Sequence, residues 1–100
     1  MIRPSRHLSW KELACHDGAR TPYPEKWRAT RGRELGEMFE EFRALCGIGP
    51  LLILSGYRTP AHNASIGGAK KSQHKFGRAF DIQRPYAHNI GWMVKRAYVL

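Results

Sequence analysis

The sequence predicts a small α+β domain, and three patterns within its 100 residues carry that expectation. One stretch has the apolar spacing of an amphipathic helix. Two short apolar stretches have the length and alternation of strands, and a polar, glycine-rich segment separates them. With 42% hydrophobic residues the chain holds enough apolar surface for one core, since independent folding becomes easy above roughly 40 to 60 residues. A single domain over 1–100 is expected, built as a short antiparallel sheet with flanking helices.

The elements follow in order. Behind a polar, proline-marked opening, "ACHDGARTPYPEKW", the stretch "GRELGEMFEEFRALCG" sets Leu35, Met38, Phe39, Phe42, Leu45 and Cys46 at three- and four-residue spacings. One helix face is therefore apolar, and Gly47 supplies a stop. "PLLILS" is a short branched run behind Pro50 and predicts a buried strand. "GYRTPAHNASIGGAKKSQHKFG" is loop-forming, with a helical turn or two from Pro60 to Ile66. In "GRAFDIQ", Arg78, Phe80 and Ile82 alternate with Ala79, Asp81 and Gln83, so Phe80 and Ile82 pack inward. "RPYAHNIGWMVKRAYVL" spaces Tyr86, Ile90, Met93, Val94, Ala97 and Tyr98 like a second helix, although Gly91 weakens that pattern.

No apolar run approaches the ~18 residues of a membrane helix, and "MIRPSRHLSWKEL" lacks the ~7 to 15 apolar residues of a secretion signal. The expectation is a chain made in the cytoplasm without a general export signal. Net charge is +9 and uneven: residues 1–56 hold nine Lys/Arg against seven Asp/Glu, and 57–100 hold eight against one. Such a surface favours a polyanionic partner, nucleic acid or an anionic wall polymer, between which charge cannot choose. Cys15 and Cys46 are too far apart for a C-x-x-C pair and too few for a disulfide framework; they read as core or near-surface thiols, with a single bridge as the alternative.

The chemistry concentrates in residues 55–82. Zinc binds imidazole and carboxylate donors at ~2.0 to 2.2 Å, and a catalytic zinc takes three protein ligands and keeps one position open. On a strand, Asp81 projects beside the small Ala79 while Phe80 faces away. Gly77 lets the chain turn after His74, so imidazole and carboxylate can converge. Taken alone, an H-x6-D pattern more often describes a surface histidine and a carboxylate paired with Arg78 or Lys75.

The full span "SGYRTPAHNASIGGAKKSQHKFGRAFDI" closely resembles the signature of the zinc D-alanyl-D-alanine carboxypeptidase family, which includes D,D-dipeptidases and phage endolysins that cut peptidoglycan peptides. The pattern S-G-Y/F-R, N, G-G, S-x-H-x-x-G-x-A-x-D is met by Ser55-Gly56-Tyr57-Arg58, Asn63, Gly67-Gly68, Ser72, His74, Gly77, Ala79 and Asp81. The match is strong over about the central third and extends weakly upstream through "ELACHDG" and "FEEFRALCG". The resemblance implies a hedgehog/D,D-peptidase-like zinc fold, with Zn2+ held by His74 and Asp81. It places Arg58 near the scissile peptide, as a charge stabilising the oxyanion or holding substrate. Ser72 then orders the loop or touches substrate, Tyr57 lines the cleft or packs in the core, and Asn63, Gly67 and Gly68 shape the backbone.

The family pattern also requires a third ligand, a histidine on a later strand, and a nearby carboxylate as general base. After Asp81 the sequence offers one histidine, His88, and no Asp or Glu. The alternatives are a C-terminally truncated reading frame lacking that last strand, a site that uses His88 with upstream carboxylates such as Glu12 or Asp17, or completion by another chain. The leading expectation is a zinc metallopeptidase, a D,D-carboxypeptidase or endopeptidase, that acts at the cell wall on peptidoglycan stem peptides. A non-catalytic wall-binding relic of the same fold is the second. Nucleic-acid binding is the third and rests on charge and stacking aromatics alone, with no zinc-finger, helix-turn-helix or RRM signature.

Overall fold

A computed structural model describes residues 2–46, 51–83 and 89–93. They form a small α+β domain with helix α1 (Arg33–Cys46), strand β1 (Leu52–Ser55), short helix α2 (Pro60–Ser65), strand β2 (Ala79–Gln83) and strand β3 (Asn89–Met93). The sheet is antiparallel in the order β1-β2-β3, so β2, which carries Asp81, is central.

The N-terminal segment folds over α1 before the helix begins. Ser9 opens a turn in which its N–H and hydroxyl both donate to Glu12 Oε1, at 2.9 and 2.8 Å. The Glu12 N–H returns a bond to Ser9 Oγ at 3.3 Å. This is the reciprocal capping box of Ser and Glu three residues apart, and it turns Trp10 and Leu13 into the core. Glu40 on α1 clasps the same segment, accepting from Ser5 Oγ at 2.6 Å and from the His7 N–H at 2.8 Å. A helical turn at Glu25–Trp27 and a wider turn at Arg28–Gly32 lead into α1.

α1 lays its apolar stripe on the sheet. Leu35, Phe39 and Phe42 are buried, and Phe39 meets Phe80 of β2 edge to face with ring centroids 6.1 Å apart. Phe80 and Ile82 are both fully buried, as the alternation of β2 requires. Leu45 departs from expectation, being 83% exposed. At 100° per residue it lies roughly 80° round the helix from Leu35, off the edge of the stripe. The Cys46 side chain falls outside the described residues, and Cys15 is a buried free thiol.

Two further expectations are corrected. The "PLLILS" run is only half buried, with Leu52 50% exposed, because β1 stands at the sheet edge with β2 on one side. The second long helix is replaced, over Asn89–Met93, by β3, which pairs with β2 from Ala79↔Met93 to Gln83↔Asn89. Ile90 and Trp92 around Gly91 also alternate, and the free side of β2 decides between the two patterns. That contact is tertiary, and local spacing does not encode it.

Phe80→Ala is expected to lower stability by about 3–5 kcal/mol, whereas Leu45→Ala stays within about 0.5 kcal/mol. Equilibrium urea unfolding measures both, and a comparable loss from Leu45→Ala would contradict the packing described.

Candidate metal centre

The site is assembled at the end of β1. Between Ile53 and Ser55 the register with β2 shifts, so that Ser55 stands opposite Asp81. Such a bulge re-aims the residues that follow it. Gly56 then passes so close to the N-terminal segment that an added Cβ would sit 2.8 Å from Leu13 Cα, and the Tyr57 N–H donates to Leu13 O at 2.9 Å. Arg58 turns back over the strand end. Its Nε donates to Ser55 Oγ and its Nη1 to Asn63 Oδ1, each at 3.3 Å, and Nη2 lies 3.7 Å from Asp81 Oδ2.

Asn63 can hold Arg58 because α2 fixes it. Thr59 caps that helix, accepting from the His62 N–H at 3.1 Å, with Pro60 in the first turn. Buried Asn63 donates through Nδ2 to Ala69 O at 2.9 Å, which closes the loop that leads to His74.

His74 sits in a single helical turn, Gln73–Phe76, capped by the Ser72 hydroxyl, which accepts the His74 N–H at 3.3 Å. Gly77 ends the turn at φ 67°, a left-handed conformation that favours glycine. Its carbonyl accepts the Tyr23 hydroxyl at 2.7 Å. From the other side, the Arg58 N–H donates to the His74 carbonyl at 3.0 Å.

His74 Nδ1 lies 2.7 Å from Gly56 O. A carbonyl only accepts, so Nδ1 carries the proton, and in the neutral ring Nε2 bears a lone pair. Nε2 faces Asp81 Oδ2 at 3.4 Å. Burial, the largest cause, holds the His74 pKa below its ordinary 6.5; the Gly56 bond and the Asp81 carboxylate oppose this, and the Arg58 charge adds to it. Two acceptors thus face one another with no proton assigned between them, at a distance long for a charge-assisted hydrogen bond. Two donors each about 2.1 Å from a tetrahedral ion lie about 3.4 Å apart. The pair fits a shared zinc-sized cation, and the carbonyl bond on the far nitrogen is the usual support of a metal-bound imidazole.

The structure therefore brings His74, Asp81 and Arg58 together. Ser72 caps the histidine turn. Tyr57 is half-buried and packs edge to face with Trp27 at 6.0 Å and with Tyr23 at 6.3 Å. His88 lies outside the described residues. Among the described residues no group of three or more His, Cys, Asp or Glu is placed to hold a metal. Glu12 is held in its capping box, and Asp17 accepts from the Thr21 N–H and hydroxyl at 2.9 and 2.7 Å. The motif pointed to Ser55 and Gly56 without roles; their work on Arg58 and His74 depends on the bulge and on a backbone carbonyl, neither of which a side-chain pattern announces.

A sequence model described as Peptidase M15 matches residues 6–97. The chain belongs to this family, the zinc D-alanyl-D-alanine carboxypeptidase type. No curated protein and no solved structure matches it at a significant level.

A histidine kept neutral by burial has consequences for pH. The unfolded chain takes up its proton near 6.5 and the folded chain at lower pH, so the stability His74 contributes is full above 6.5 and is lost as pH falls through the folded value. In metal-free protein, stability is expected to decline below about pH 6.5 less steeply in His74→Asn than in the wild type. Urea unfolding across pH 4 to 8 checks this, and identical profiles would contradict a buried neutral imidazole.

Proposed function

We propose that the chain is a zinc-dependent peptidase acting on peptidoglycan stem peptides, as a D,D-carboxypeptidase or endopeptidase, and that it works at the bacterial cell wall, as a phage lysin does. The observation that carries this reading is the 3.4 Å approach of His74 Nε2 to Asp81 Oδ2, with the tautomer that leaves Nε2 free to bind. His74 and Asp81 hold the zinc, and His88 is the candidate third donor. When bound, the metal lowers the pKa of a coordinated water and polarises the scissile carbonyl.

The rest is done by the chain. The Gly56 carbonyl fixes the imidazole plane. Ser55 and Asn63 hold the guanidinium of Arg58, whose side chain is 17% exposed beside Asp81. A fixed positive charge there can bind a substrate carbonyl oxygen as it gains negative charge, and it requires no reorganisation to do so. Tyr57, directly before Arg58, borders the cleft with an apolar ring and a polar tip. Ser72 acts on the loop. Glu12 and Asp17, the upstream carboxylates, are both engaged in capping backbone turns.

The test is incubation of zinc-loaded protein with purified peptidoglycan, followed by mass analysis of the released products and elemental analysis of the bound metal. His74→Ala and Asp81→Ala are expected to lose both zinc and cleavage. Arg58→Ala keeps its zinc and loses roughly 10²–10³ in kcat, while His88→Ala lowers the zinc content if His88 completes the site. Folded, zinc-loaded protein that releases nothing would overturn the reading in favour of a non-catalytic wall binder, whose retention on insoluble peptidoglycan survives His74→Ala.

A further inference from the structure

A cavity of about 320 Å³ lies outside the metal centre, lined by Trp10, Lys11, Ala14, Arg20, Pro22 and Arg28. Three of these six residues are cations and the other three are apolar. No ion pair neutralises the cations among the described residues. The two carboxylates nearest in sequence are turned elsewhere, Glu12 to Ser9 and Asp17 to Thr21. The Asp17 turn also sets Arg20 at φ 52°, a conformation uncommon for a residue other than glycine. The Arg28 guanidinium lies 4.9 Å from the ring centroid of Trp10, and its Nε is enclosed without a hydrogen-bond partner among the described residues. Positive charge has thus been gathered on an apolar floor and, among the described residues, left without an internal counterion.

The cavity adjoins the metal centre through one stretch of chain. Ala14 forms part of its wall, and its two neighbours contact the residues on either side of Arg58: the Tyr57 N–H donates to Leu13 O at 2.9 Å, and the Thr59 N–H to Cys15 Sγ at 3.5 Å. We propose that this cavity is a second substrate-anchoring site, which takes a carboxylate of an acidic, alanine-rich peptide whose other end reaches the cleft beside Arg58. Cations account for the carboxylate. Trp10, Ala14 and Pro22 account for the methyl and methylene groups beside it, which a bare phosphate polymer lacks. The identity of the polymer rests on the peptidase reading; the anion site does not.

The test uses the full 100-residue chain without zinc, in an NMR titration at low salt that follows the Trp10 indole and the Lys11 and Ala14 amides. The probes are Ala-Glu-Ala blocked at both ends, blocked Ala-Gln-Ala and glycerol phosphate. Saturable shifts at these three residues are expected with the glutamate peptide, with binding at least about ten-fold weaker for the glutamine peptide. The double variant Lys11→Gln/Arg20→Asn should weaken the glutamate peptide by a similar factor. Both positions are exposed, and Asn tolerates the positive φ at 20 better than Arg does. Because the titration is run without zinc, binding is read independently of cleavage, so the site stands even if cleavage is never observed. Equal binding of the two peptides, full binding by the double variant, or tighter binding of glycerol phosphate would each overturn the proposal.

Discussion

The hydrogen bond from His74 Nδ1 to the Gly56 carbonyl, 2.7 Å long, is the contact on which the candidate site depends. It joins the end of β1 to a turn 18 residues further along the chain and selects which imidazole nitrogen faces Asp81. Without it the ring could rotate or exchange tautomers, and the approach to Asp81 would lose its meaning. The bond in turn needs Gly56 to pass against Leu13, where a Cβ would collide with backbone. The N-terminal segment is thus part of the support for the loop that carries His74.

The same residues serve fold and chemistry. Ser55, Arg58, Asn63 and Asp81 form one partly buried polar network in which each member satisfies another. Networks of this kind are costly when incomplete and specify a single arrangement when complete. Aromatic rings brace it from below: Tyr23 bonds the Gly77 carbonyl, while Trp27 and Tyr57 pack against Tyr23. The apolar contact of α1 with β2 then holds the strand that presents Asp81.

Much of this was legible in the sequence because it is periodic or local. The spacing of Leu35, Phe39 and Phe42 marked the core face of α1, and Phe80 and Ile82 marked that of β2. Pro60 announced a short helix, and the spacing from His74 through Gly77 to Asp81 announced a convergence that the strand and the left-handed glycine deliver. The failures have physical causes. Residues 89–93 fit two periods at once, and the open side of β2 chose the strand. Leu45 fell one step off a stripe whose width spacing does not give. The Gly56 carbonyl and the cations gathered around Trp10 are properties of placement, which composition cannot reveal.

The proposed function requires the imidazole at 74 and the carboxylate at 81 to share one metal ion. Anomalous diffraction from zinc-soaked crystals at the zinc edge measures this most directly. A single peak is expected about 2.0–2.2 Å from both His74 Nε2 and an Asp81 oxygen, with Nδ1 still bonded to Gly56. Zinc bound through Nδ1, or a saturated crystal whose only peaks lie away from these two side chains, would contradict it.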